Sequence, residues 1–238
     1  MHKGSGCKKK SLLLIVLSLR NAQFSGGAIN MYNCIIFDVD GTLIDTEIAL
    51  LSSLQKVLEE ETGHVFRAEN LAFVLGIPGE IALRKLGVKK VAYCNMKWNE
   101  YLHDFYHSVK VFDDIENTLA RLYEQGVLLG IVTSKTKEEL NKDFMSFDLG
   151  NYFQLAVCAD NTCKHKPDPE PIRKFLDMTG MKPSEVIYVG DTLYDMRCAH
   201  GAGVDFGLAL WGAKSNERIE AKYVFEKLCR MTVEVELA

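Results

Sequence analysis

Residues 34–40 read Cys-Ile-Ile-Phe-Asp-Val-Asp, an apolar run of strand length set directly against two carboxylates at i and i+2. Strand periodicity would send both acids to one face, where unpaired buried charges are costly. A strand that ends this way needs a cation or an electrophile at that end. The pattern recurs along the chain. "GIV" runs into Thr133-Ser134, "VIYVG" runs into Asp191 with Asp195 four residues on, and a loop holding Lys164 and Lys166 precedes another helix.

Between these points strands and helices alternate. The helix "IENTLARLYEQ" closes on Gly126, and the strand "VLLGIVT" follows. Thr136 with Glu139 forms a capping-box pair for the next helix. A strand near "YFQLAVC" comes next, then a helix with Asp168 as N-cap, Pro169 at its first position and Gly180 as its stop. After "EVIYVGD" another helix runs to Gly201, and "VDFGLALWG" and "AKYVF" supply two more short strands. Strands too apolar for one-sided burial, separated by helices, predict an α/β fold of three Rossmann-like layers around a parallel sheet. In such sheets ligands bind outside the carboxyl ends of the strands, where the acids, hydroxyls and lysines fall.

Residues 48–110 break that rhythm. Ile48, Leu51, Leu54 and Leu58 recur at helical spacing, Gly and Pro interrupt at 75–80, and Val91, Cys94, Trp98, Phe105 and Val109 resume the period. The segment reads as a wholly helical cap inserted into a core made of residues 31–47 and 111–238. Residues 1–30 join a basic stretch to the apolar run Leu12 to Leu19, which is far short of a membrane span. Its length fits a signal-peptide core, yet Arg20 interrupts it and no A-x-A site follows, so it reads as an extension, non-native or signal-like.

A chain of 238 residues with 47% hydrophobic side chains can fill a core domain and a smaller insertion. The formal net charge is −4 with both signs interspersed, which leaves no footprint for nucleic acid, and no membrane partner is expected. Seven cysteines without a CxxC pair read as reduced thiols of a cytoplasmic protein. Oligomeric state is left open.

Three carboxylates at one sheet edge repel one another unless a hard cation sits among them, and oxygen ligands of this kind suit Mg²⁺. A hydroxyl and an ammonium nearby supply a donor and a positive charge for phosphate oxygens. One carboxylate can then act as nucleophile and another as acid and base. The set reads as phosphoryl chemistry.

In order along the chain, "DVDGT" (38–42), "VTSK" (132–135), "KPDP" (166–169) and "GDTLYD" (190–195) resemble the four motifs of the haloacid dehalogenase superfamily. The likeness runs from about residue 32 to the C-terminus and is strongest to the phosphoglycolate-phosphatase-like branch with a helical cap. It implies Asp38 as nucleophile, Asp40 as general acid and base, Thr133 and the Ser134 backbone holding the phosphoryl group, and Lys166 neutralising its charge. It implies Mg²⁺ held by the Asp38 carboxylate, the Asp40 carbonyl and Asp191, with Asp195 supporting. Lys164 is a weaker rival to Lys166.

The segment "LGIPGEIALRKLG" (75–87) resembles the specificity segment of such caps, which singles out Gly76 and Arg84 as substrate-binding candidates. The implied activity is a Mg²⁺-dependent phosphatase for a small phosphorylated metabolite, phosphoglycolate-like or a sugar phosphate. A phosphomutase of the β-phosphoglucomutase type, a pyrophosphatase or a nucleotide monophosphatase would use the same acids. Glu47 and Trp211 are further candidates for the cleft. His103 and His107, at i and i+4, read as an ordinary helix face, and His165 as a solvent-facing loop residue.

Overall fold

The computed structural model describes residues 32–143, 147–214, 218–234 and 237; the extension read at 1–30 lies outside them. In chain order the strands are β1 (Cys34–Phe37), β2 (Ile44–Asp45), β3 (Lys110–Val111), β4 (Leu128–Val132), β5 (Leu155–Val157), β6 (Val186–Gly190), β7 (Asp205–Ala209) and β8 (Tyr223–Phe225). Six of them form a sheet in the order β5-β4-β1-β6-β7-β8, with every pairing parallel.

The central strands are buried on both faces, as their unbroken apolar runs require. Alternate side chains feed two separate cores. Ile35, Phe37, Leu129, Ile131, Ile187 and Val189 pack under the helices Ile115–Glu124 and Lys137–Asp143. Cys34, Ile36, Val132, Val186 and Tyr188 pack under Glu170–Thr179 and Leu193–Ala202. Each fully buried Ile, Leu or Phe contributes roughly 1.5–3 kcal/mol, so β1 alone anchors several kcal/mol on either face. Within β4, Gly130 lies where any Cβ would collide with the Phe175 ring, so the missing side chain lets that helix dock.

The third core belongs to the insertion. Helices Glu47–Thr62, Ala68–Leu71, Gly79–Lys85 and Val91–Leu102 enclose Leu54, Leu58, Leu83, Cys94 and Trp98. The Trp98 indole nitrogen donates to the Leu50 carbonyl at 3.0 Å. The chain leaves and re-enters the core through a two-stranded antiparallel ribbon that pairs Ile44 with Val111 and Asp45 with Lys110.

The ribbon corrects the expectation of a wholly helical 48–110, because Lys110 is strand. Helix also stops at Gly63, which caps the first helix in the left-handed conformation (φ 72°). It breaks again before Pro78, which disfavours helix in the residue preceding it. The helix expected to begin at Pro169 begins at Glu170, while the Asp168 carboxylate accepts from the Glu170 N–H at 3.0 Å and so satisfies an end donor as anticipated. Among the described residues, no helix is long and apolar enough to cross a membrane.

Candidate active site

Strand register assembles the site. Phe37 is level with Ile131 on one side and Val189 on the other. Asp38, Thr133 and Asp191 each come directly after the last residue of their strand, so they meet at one edge of the sheet. All three are buried. Asp191 reaches the β1 loop because Gly41 (φ 80°) has no Cβ; one built there would overlap the Asp191 carboxylate. The Thr42 hydroxyl donates to Asp191 Oδ1 at 3.1 Å.

Lys166 is the hub of the buried charges. Its Nζ lies 2.7 Å from Asp38 Oδ1, 2.7 Å from Asp195 Oδ1 and 3.0 Å from the Tyr188 hydroxyl. Burial lowers the Lys166 pKa, but Asp195 and Asp38 outweigh it and hold the ammonium above its ordinary range. Lys164, by contrast, is an exposed lysine paired with Asp168, so only Lys166 is buried among the acids.

Asp195 is not an exposed helix acid. Its Oδ1 accepts from Lys166 and Tyr188, and its Oδ2 accepts from the N–H and hydroxyl of Thr192, the residue that caps the Leu193–Ala202 helix. With four donors around it, the carboxylate holds Lys166 in place.

Asp38, Asp191 and Asp195 each offer a carboxylate oxygen within 4.8 Å of the others. Burial pushes the Asp38 carboxyl up to about 7, with Lys166 opposing the rise and Asp195 and Asp40 adding to it. Asp191 is raised well above the carboxylate range, first by burial and then by Asp195 and Asp38. One lysine does not balance three buried acids, and the donor set is all oxygen, so these residues fit a hard divalent cation. The Asp40 carboxylate turns elsewhere: its Oδ1 accepts from the Thr46 hydroxyl at 2.7 Å and lies 3.1 Å from Lys135 Nζ.

A cleft of about 650 Å³, counting its open mouth, separates this edge from the insertion. Asp38, Asp40, Ser134 and Lys135 line its floor, while Gly76, Asn95, Trp98 and Asn99 line its roof. The Ser134 hydroxyl donates to the Gly76 carbonyl at 3.1 Å, so both residues singled out from sequence lie at one cap-to-core contact. Gly76 itself is left-handed (φ 80°), and a Cβ there would run into the Thr192 methyl.

Arg84 does not join them. It is exposed and its guanidinium rests on Glu80 one helical turn away, because the short Gly79–Lys85 helix turns that face to solvent. Glu47 pairs with Lys214 and borders a smaller adjoining pocket with Trp211, whose indole nitrogen donates to the Thr42 carbonyl at 2.9 Å. His103 and His107 are exposed on a 3₁₀ segment, where residues four apart do not share a face. Among the described residues the His165 Nδ1 is buried without a hydrogen-bond partner, which corrects its reading as solvent-facing.

Sequence reasoning passed over Lys135, Asn95 and Asn99. Lys135 was visible inside "VTSK", and the two amides stand at i and i+4, each one residue after a buried position of the Val91–Leu102 helix.

A parallel α/β sheet with three buried acids and a lysine at one edge, roofed by a helical insertion, defines a class of hydrolase. Residues 35–209 match the family model described as haloacid dehalogenase-like hydrolase, and the chain belongs to that family. It is similar to the pyrophosphatase PpaX of Bacillus velezensis, with 30% identity over 198 residues, 82% of this chain and 92% of the relative. A solved "putative phosphoglycolate phosphatase" from Lactobacillus plantarum superposes with a TM-score of 0.79 at 26% identity, covering 85% of this chain and 99% of that one. A hydrolase from Pseudomonas syringae shares the fold with a TM-score of 0.76 at 20% identity, covering 84% and 96%.

Proposed function

We propose that this hydrolase is a Mg²⁺-dependent phosphatase acting on a small phosphorylated metabolite through a phosphoryl group carried on Asp38. The observation that carries the reading is the buried array in which Lys166 joins Asp38 to Asp195 at 2.7 Å each, with Asp191 in the same acidic group. An Asp38 oxygen attacks phosphorus as the bond to the leaving oxygen breaks, and Asp40 gives that oxygen its proton. Asp40, now a carboxylate, takes a proton from water. The water oxygen attacks phosphorus, phosphate leaves, and Asp38 is restored.

Thr133 and Ser134, just past β4, face the phosphoryl group, and Lys166 offsets its charge. Asp38, Asp191 and the Asp40 carbonyl would hold Mg²⁺, with Asp195 behind them. Bound there, the ion supplies positive charge to the phosphoryl oxygens. Lys135 and Thr46 orient the Asp40 carboxylate.

The roofed cleft supports a metabolite over a folded phosphoprotein, since little beyond a small leaving group enters under the cap. The six described cysteines are unpaired thiols, in keeping with a reducing, cytoplasmic setting. Similarity to a pyrophosphatase favours pyrophosphate as a second reading of the substrate. Phosphate release across phosphoglycolate, sugar phosphates, nucleotide monophosphates and pyrophosphate, with and without Mg²⁺, tests both. Release should require Mg²⁺ and fall at least about a thousandfold in Asp38→Asn. Activity that survives that substitution, or that ignores Mg²⁺, refutes the mechanism.

A further inference from the structure

The cap side of the cleft is mostly apolar, lined by Leu50, Val74, Ile77 and Trp98, and its few polar groups carry almost no charge. Asn95 and Asn99 lie one turn apart on the Val91–Leu102 helix, on the flank of the buried line Cys94–Trp98, and both border the cleft. Asn99 Nδ2 donates to Glu139 Oε1 at 2.8 Å, reaching from cap to core across the opening. Glu139 uses its other oxygen to accept from the Thr136 N–H, so its carboxylate is fixed at the rim. Among the described residues the Asn95 amide has no hydrogen-bond partner, although it stands in a half-buried position. Gly79 makes room for it: a Cβ there would run into Asn95 Oδ1.

Cations are committed elsewhere. Lys135 is the one cation lining the cleft among the described residues, and it lies against Asp40. On the cap, Arg84 pairs with Glu80, Lys97 with Glu100, and Lys85 with the Tyr194 hydroxyl. A second phosphate or a carboxylate on the leaving group would therefore meet Glu139 with no cap cation to receive it. Amides and a fixed carboxylate do match hydroxyls, which donate and accept in turn.

We propose that Asn95, Asn99 and Glu139 form a subsite for the hydroxyl groups of the leaving alcohol, so that the preferred substrate is a polyol or sugar monophosphate with no other charge. This rests on the phosphatase reading above and names its substrate class. Sites built to bond a hydroxyl reject analogues that lack it far more strongly than apolar pockets reject an extra methylene.

The experiment compares kcat/KM for sorbitol 6-phosphate and glucose 6-phosphate with phosphoglycolate, pyrophosphate and p-nitrophenyl phosphate, in the full chain with Mg²⁺. The hydroxylated esters should lead the anionic ones by tenfold or more. Asn95→Ala and Asn99→Ala should lower kcat/KM for the hydroxylated esters about tenfold further than for p-nitrophenyl phosphate. Gly79→Ala should act in the same direction by displacing Asn95. Asn95→Lys, which keeps a polar side chain and adds the missing cation, should shift selectivity toward phosphoglycolate and pyrophosphate. A wild-type preference for pyrophosphate or phosphoglycolate overturns the subsite while leaving the phosphatase intact, as does an equal loss on every ester in both alanine variants. Absence of Mg²⁺-dependent release from every compound, p-nitrophenyl phosphate included, overturns both.

Discussion

The sheet edge and the cap roof meet across one cleft but are built on opposite plans. At the edge, the buried charges are tightly tied to one another: Lys166 touches Asp38, Asp195 and Tyr188, and Asp195 accepts from four donors. On the roof the ties are sparse and at least partly exposed, resting on bonds such as Ser134 to Gly76, Asn99 to Glu139 and Lys85 to Tyr194. The difference suits two jobs. Buried, mutually bonded charges keep their spacing, whereas a roof tied by few, partly exposed bonds separates at small cost.

Changes at the edge should therefore be the most damaging. Lys166→Met leaves Asp38 and Asp195 buried without their cation, and we expect a stability loss of about 3–5 kcal/mol together with lost activity, read from urea midpoints and phosphate release. A loss under about 1 kcal/mol would mean the edge is no tighter than the roof. Trp98→Ala removes the largest side chain of the cap core and its bond to Leu50, for roughly 3 kcal/mol. The contrast predicts that this loss appears as faster exchange of amides in 47–102 while β1 and β6 stay protected; uniform loss would merge the two regions into one cooperative unit.

Smaller effects sharpen the picture. Ser134→Ala removes one cap-to-core hydrogen bond, about 1 kcal/mol, and should make the cap more sensitive to proteolysis without shifting the urea midpoint of the core. The smallest lies far from the cleft. Burial raises the Asp205 pKa, but hydrogen bonds from Lys222 and Tyr32 outweigh it and depress the carboxyl below its usual range. A depressed carboxyl contributes stability above its unfolded pKa of about 4 and loses it as pH falls through the folded value. Both partners are about two-fifths exposed, so screening keeps the contribution under about 1 kcal/mol. Urea midpoints of wild type and Asp205→Asn should differ near pH 6 and converge toward pH 3; a gap that persists at pH 3 would assign the effect to packing.

The three strand ends were legible because a run such as Cys34–Phe37 has one periodicity and an abrupt polar stop, and a parallel sheet sends all such stops to the same edge. The capping pair Thr136 and Glu139 was legible for the same local reason, and it forms with the Thr136 N–H donating to Glu139 at 2.7 Å. The ribbon at Lys110 was not legible. Two residues of strand carry no pattern, and their pairing with Ile44 and Asp45 closes a loop of more than sixty residues.

The sequence by itself determined the order of elements, the parallel sheet and the acids that end its strands, since each follows from local periodicity and the cost of burying charge. Tertiary structure alone decided which of Lys164 and Lys166 is buried, that Arg84 faces solvent, that Lys135 lies on Asp40, and that Asn95 and Asn99 border the same cleft as Asp38. Those outcomes depend on how elements distant in the chain pack against one another. No local pattern in the sequence records that packing.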